Sequence, residues 1–257
     1  MALTELDYSV YYDKIGGEGN PATHWIAKRY LRQMTRWLPS NKDASILEIG
    51  PGNGLTLTLL RKEGWNVQGI EADKTLAGRL SKSGLNVHWV PVDDTISWLR
   101  ARPEAYRLIY AHHVLEHVQV DLQVAFVRAI ADALEQGGYF VCETPNALSA
   151  AANWFRYGDW THTSIFTSAS LEFLLAQGGL ISRYVGSTLG GRMPSFGQPI
   201  KAFIEHIISD AALAFSRIIQ RIHLVAELRT DGLRAPLSPA LLAVGEKQAI
   251  PERRPPI

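Results

Sequence analysis

Along the middle of the chain, short apolar runs alternate with stretches whose apolar positions recur every three or four residues, the pattern of βαβ units around a parallel sheet. Strands are predicted over Ser45 to Gly50, Asn66 to Glu71, Asn86 to Val90, Arg107 to His112 and Gly138 to Glu143. Helices are predicted near Leu55 to Lys62, Lys74 to Ser83, Thr95 to Arg100 and Val120 to Glu135. Each crossover ends in a glycine or proline signal: Gly64, Gly84, Pro103 and Gly137-Gly138. The order then changes. A helix around Ser168 to Gln177 leads to a strand near Ile181 to Ser187, and a last strand, Leu241 to Glu246, follows about fifty residues later. The fold class is α/β, with seven strands.

Between those last two strands lies a long amphipathic stretch. From Pro199 to Leu228 apolar residues such as Phe203, Ile207, Ala211, Phe215, Ile218 and Ile222 recur at three and four, with Lys201, Glu205, Asp210, Arg217 and Arg221 elsewhere. This predicts one long helix, or two broken near Ser209-Asp210. Its stripe must be buried on its own domain, in a homodimer, or on a membrane surface. Ala22 to Leu38 predicts a further helix stopped by Pro39, and Pro251 to Ile257 reads as a disordered tail. The chain thus divides into an N-terminal helical segment and lid (1–40), a core (41–190 and 236–248), a helical insertion (191–235) and a tail (249–257).

Composition narrows the function classes. Of 257 residues, 46% are hydrophobic and 20% charged, as in ordinary globular proteins. The formal net charge of +1 offers no global field for a polyanion, so nucleic acid is not an expected partner. The single cysteine, Cys142, excludes an internal disulfide and fits a reducing compartment. On its central strand it reads as a small core residue. No signal peptide is evident in MALTELDYSVYYDK, and no apolar run approaches the roughly 18 to 20 residues of a membrane span. A cytoplasmic protein is expected, with peripheral contact at the inner membrane surface if the amphipathic stretch meets lipid.

Two motifs carry chemistry. Glu48-Ile49-Gly50-Pro51-Gly52-Asn53-Gly54 follows the first strand and opens a helix, where three glycines leave room for a ligand. Neither register satisfies the G-x-G-x-x-G dinucleotide fingerprint, and no Gly-Lys-Ser/Thr follows to make a P-loop. The second strand ends in the acidic Glu71. The other motif, His113-Val114-Leu115-Glu116-His117, spells H-x-x-E-H, a zinc-protease signature that needs both histidines on one continuous helix. Here His113 directly follows a strand, so no metal is expected.

The run ILEIGPGNG with GIEAD at the end of the second strand resembles the class I S-adenosylmethionine-dependent methyltransferases, over Ser45 to Ser187 plus the last strand. The resemblance implies a Rossmann-like, mostly parallel seven-stranded sheet with an antiparallel last strand and S-adenosyl-L-methionine as cofactor, leaving S-adenosyl-L-homocysteine. It implies that Gly50, Gly52 and Gly54 form the cofactor loop, that Glu48 lies near the methionine ammonium, and that Glu71 takes the ribose hydroxyls. Asp93, or Asp94 in its place, would accept from the adenine amino group, although Asp94 equally suits an N-cap for the helix at Thr95. Ala72 and Ile96 would give apolar contacts, and His112, ending the fourth strand, joins the cofactor set.

Methyl transfer to a hydroxyl needs an aligned acceptor and a base for its proton. His117 and His162 are the base candidates, with His113 third; each equally suits a loop-holding role. Glu116 either orients a histidine or faces solvent. His162 lies in a string resembling the family's H-x-x-x-F-T. Trp154, Phe155, Tyr157 and Trp160 could stack on a sugar ring or a quinone, or pack as a lid. Tyr8, Tyr11, Tyr12 and the glycines of 16–19 suggest a second lid. The expected function is O-methylation of a sugar, glycan or lipid-linked acceptor, as in polysaccharide biosynthesis. The alternatives are a phenol, quinone precursor or other small-molecule acceptor, and a non-catalytic binding protein on the same fold.

Overall fold

A computed structural model describes residues 21–188, 199–229, 232 and 234–249. The proposed tyrosine and glycine lid, and the tail from residue 250, lie outside the described residues. The helices are α1 (Pro21–Met34), α2 (Leu55–Lys62), α3 (Lys74–Lys82), α4 (Thr95–Arg100), α5 (Gln123–Ala133), α6 (Ala152–Gly158), α7 (Ser168–Gln177) and α8 (Pro199–Leu228). The strands are β1 (Ile46–Ile49), β2 (Val67–Glu71), β3 (Val87–Trp89), β4 (Tyr106–His112), β5 (Leu134–Pro145), β6 (Ile181–Ser187) and β7 (Ala240–Glu246). They form one seven-stranded sheet in the order β3-β2-β1-β4-β5-β7-β6.

The first five strands pair in parallel, and β7 runs antiparallel to both β5 and β6. Helices cover both faces, so inner strands are apolar throughout rather than alternating. Residues of opposite pleat enter opposite layers. Leu108, Tyr110 and Val141 meet Met34 of α1 and Leu60 of α2, whereas Ile109, Phe140 and Cys142 meet Phe126 of α5 and Leu171 of α7. Cys142 is fully buried and its thiol pKa is pushed up by burial, so it is an inert core residue.

Three elements depart from the sequence expectation. β5 begins at Leu134, before the expected glycine break: Tyr106 pairs with Leu134 and Leu108 with Tyr139, so the strand bulges where Gly137 takes φ +70°. α5 starts only at Gln123, after a 3-10 turn at Val120–Leu122. The aromatic stretch, given no element in advance, forms α6. The amphipathic insertion is one helix with no break at Ser209-Asp210.

Candidate active site

The carboxyl ends of β1, β2, β4 and β5 share one edge of the sheet, where ligands of open parallel sheets bind. Gly50, Gly52 and Gly54 turn the chain there with φ of +67°, +54° and +70°. A side chain at Gly50 would be strained by that φ and would also place its Cβ 2.8 Å from Val114 Cγ2. Glu71 anchors the loop: one carboxylate oxygen accepts from Gly52 N (3.2 Å) and the other from Asp73 N (3.0 Å). Burial raises its pKa to about 7, with the bonds from Asp73 and Gly52 opposing.

Other members of the expected cofactor set fall differently. Glu48 is 3% exposed and accepts a 2.7 Å hydrogen bond from Tyr110 Oη. Burial raises its pKa to about 8, with the hydrogen bond from Tyr110 opposing. Asp93 and Asp94 are exposed in a 3-10 turn, and Asp94 makes no side-chain cap for α4, contrary to that reading. Ala72 and Ile96 are half-buried. The Ala72 carbonyl accepts from Trp89 Nε1 (3.1 Å), a residue the sequence did not single out.

His112 is 8% exposed, and its ring stacks on Tyr30 of α1 at 3.8 Å. Both its ring nitrogens are buried without a hydrogen-bond partner among the described residues. Burial lowers its pKa to about 3, so it is neutral. Two orphaned polar atoms beside a glycine cradle and the Glu71 carboxylate fit a ligand carrying hydroxyls and an ammonium group, as S-adenosylmethionine does.

The H-x-x-E-H motif folds as a turn. His113 takes φ +55°, and Leu115–His117 is a single 3-10 turn, so the zinc-protease geometry is absent. His113 Nδ1 lies 3.0 Å from Glu116 Oε1 and Nε2 lies 3.3 Å from Glu143 Oε1. Both partners are carboxylates, so both nitrogens must donate and the ring is an imidazolium. Burial alone would lower its pKa, but the bonds and charges of Glu116 and Glu143 raise it to about 10. Such a ring has no lone pair, so His113 is not the base. Arg29 Nη2 (2.6 Å) and Gln33 Nε2 (2.9 Å), both from α1, also donate to Glu143, and Thr144 Oγ1 donates to Glu116 (3.2 Å). Against burial, His113 and Arg29 hold Glu143 down to about 2, and His113 lowers Glu116 likewise. Glu116 thus does not face solvent; it orients a histidine, and that histidine is His113.

His117 and His162 come together. Their rings meet edge to face at 4.5 Å. Thr161 Oγ1 donates to Asp159 Oδ1 at 2.6 Å, so its oxygen accepts from His117 Nδ1 at 2.9 Å. That assigns the proton to Nδ1 and the lone pair to Nε2. Burial lowers the His117 pKa, with the Glu116 charge opposing, so the ring is neutral at physiological pH. His162 Nδ1 donates to the Phe155 carbonyl at 2.5 Å, fastening α6 to the site. Among the described residues, Glu116, His117 and His162 are also the one group able to hold a metal ion, each with a ligand atom within 4.8 Å of the others. Trp154, Tyr157 and Trp160 are 76%, 73% and 74% exposed, so they do not pack as a closed lid.

A family profile described as a methyltransferase domain matches residues 22–183. The ubiquinone biosynthesis O-methyltransferase of Serratia proteamaculans is 31% identical over 156 residues, 59% of this chain and 62% of that protein. Mouse EEF1A lysine methyltransferase 2 is 34% identical over 87 residues, 31% of this chain and 36% of that protein. The chain therefore spans about a third to three-fifths of the length of these two relatives. The solved structure of a SAM-dependent methyltransferase from Archaeoglobus fulgidus matches with a TM-score of 0.64 at 18% identity, over 93% of this chain and 99% of that one. At that identity the likeness establishes the fold. With the family profile and the glycine cradle together, the chain belongs to the S-adenosylmethionine-dependent methyltransferases of class I fold.

Proposed function

We propose that this chain transfers a methyl group from S-adenosylmethionine to a hydroxyl, with His117 as the general base. The observation that carries this reading is the Asp159–Thr161–His117 chain, which leaves a neutral imidazole with its lone pair on Nε2. The cofactor supplies an electrophilic methyl on sulfur. With the cofactor held there, His117 Nε2 would take the proton that the acceptor hydroxyl gives up. His162 holds the α6 wall, and Glu71 and the glycine loop hold the cofactor.

The acceptor we favour is a sugar, glycan or lipid-linked hydroxyl, as in polysaccharide biosynthesis, because exposed Trp154, Tyr157 and Trp160 present flat faces beside Arg156. A phenolic acceptor is the second reading, favoured by the similarity to the ubiquinone O-methyltransferase. We place the protein in the cytoplasm. Among the described residues no helix is long and apolar enough to cross a membrane. The test is His117→Asn with a panel of sugar and phenol acceptors. The turnover number should fall roughly a hundredfold or more with S-adenosylhomocysteine affinity unchanged. Unaltered turnover would remove His117 as base, and turnover on neither acceptor class would remove the acceptor assignment.

A further inference from the structure

Further along the active-site edge of the sheet lies a cavity of about 610 Å³, between α8 and the ends of the last two strands. That is the size of a small-ligand site, about 300 to 1,000 Å³. Ser187 and Thr188, where β6 ends, and Ser238, ahead of β7, form one wall, and Arg217 and Arg221 of α8 face them. β5 and β6 both run antiparallel to β7, so β6 ends at the same edge as β4 and β5. Asn146, directly after β5, donates to the carbonyls of Pro236 (2.9 Å) and Ser238 (2.8 Å) and so ties this wall to the active-site edge.

The charges in the cavity are unbalanced. Arg217 and Arg221 stand one helical turn apart, a spacing at which like charges repel. From Ala211 to Ala226 the chain has no Asp or Glu, and no carboxylate lines the cavity. Arg221 donates to the neutral Gly232 carbonyl (2.5 Å), and the Arg217 guanidinium has no partner among the described residues. A single carboxylate would neutralise one of the two cations. A phosphate or diphosphate neutralises both, and its oxygens suit the paired N–H groups of guanidinium.

We propose that this cavity binds a phosphate or diphosphate carried by the methyl acceptor, with Arg217 and Arg221 as its cations and Ser187 and Thr188 as hydroxyl donors. Adjacent strands lie about 4.8 Å apart, so with β5 and β7 between them the end of β6 is about 15 Å from that of β4, which leads to His117. An acceptor with its hydroxyl at His117 and its anion in the cavity is therefore extended, as an oligosaccharide on a diphosphate carrier is. The acceptor assignment rests on the methyl-transfer reading, whereas the anion site can be measured without it.

The test is calorimetric titration of the full chain with inorganic pyrophosphate. The parent should bind it at a single site, and Arg217→Gln should weaken binding roughly tenfold, with S-adenosylhomocysteine affinity unchanged as the report of folding. Arg217→Lys, which keeps the charge and loses the fork, should fall between the two. Uridine diphosphate and geranyl diphosphate distinguish a nucleotide from an isoprenoid carrier, the tighter of the two naming it. In methyl transfer, pyrophosphate should compete with the acceptor and not with S-adenosylmethionine. No pyrophosphate binding by the parent, equal binding by Arg217→Gln, weaker binding of both diphosphate esters than of pyrophosphate, or absence of competition with the acceptor overturns the proposal. Pyrophosphate binding as expected with no methylation of any acceptor would instead remove the methyl-transfer reading and leave the anion site standing.

Discussion

Substituting His113→Asn removes the cation between Glu116 and Glu143 and leaves a signature in the pH dependence of stability. Asparagine tolerates the left-handed backbone at this position, so strain does not confound the result. The folded chain holds the His113 proton up to about pH 10, whereas the ordinary value is 6.5. The His113 contribution is therefore complete below the ordinary value and is lost as pH climbs toward the folded one. Full linkage amounts to about 1.4 kcal/mol per pH unit in that window. The side chain is 32% exposed, and solvent screening reduces the figure. Between about pH 7 and about pH 9 the parent should lose about 1 to 2 kcal/mol more than the variant. At pH 7 the variant itself should be less stable by about 3 kcal/mol, since two buried carboxylates keep only Arg29 as a counter-cation. Glu48 and Glu71, whose pKa values are raised to about 8 and about 7, shift stability in the same direction, so the comparison must be made by difference. Urea unfolding followed by tryptophan fluorescence at several pH values measures it. Parallel stability curves for parent and variant would refute a charged His113.

Gly50→Ala should weaken S-adenosylhomocysteine binding at least tenfold and lower stability by about 1 to 2 kcal/mol, because φ +67° and the Val114 contact both oppose a Cβ; calorimetry and thermal unfolding check the two. Removal of metal by a chelator should leave methyl transfer unchanged, because the Glu116 carboxylate is already neutralised by the His113 imidazolium; loss restored by a divalent cation would make Glu116, His117 and His162 a metal site. The proposed His117 base predicts a turnover that rises with pH and levels off by neutrality, since burial sets its pKa below 6.5; a rise continuing well above pH 7 contradicts it.

Much of the fold was legible because local pattern and tertiary environment agree. α7, β6 and α8 have the bounds their periodicity predicts, and the glycine loop and Glu71 lie where the motif put them. The start of β5 was illegible because Gly137-Gly138 reads as a terminator, and only pairing with β4 turns it into a bulge. Site chemistry followed a similar division. The turn after the fourth strand points to His117 and the string resembling H-x-x-x-F-T points to His162, and the two do meet. That His113 is charged depends on Glu143, far away in sequence, and that Glu48 is neutral depends on burial deep enough to outweigh the hydrogen bond from distant Tyr110. Signals for those partners were present. Glu143 stands at the end of an otherwise apolar strand, and a buried carboxylate there requires a cation such as Arg29. Spacing within a motif does not reveal which face of a turn each side chain takes, and so H-x-x-E-H resembles a zinc helix until its backbone is known.

The most direct test of the central claim is calorimetric titration of the chain with S-adenosylhomocysteine, using Glu71→Ala as control. The account predicts micromolar binding by the parent and a loss of roughly tenfold to a hundredfold in the variant, the effect of removing charge-assisted hydrogen bonds to a ribose diol. No binding by the parent, or equal binding by the variant, would contradict it.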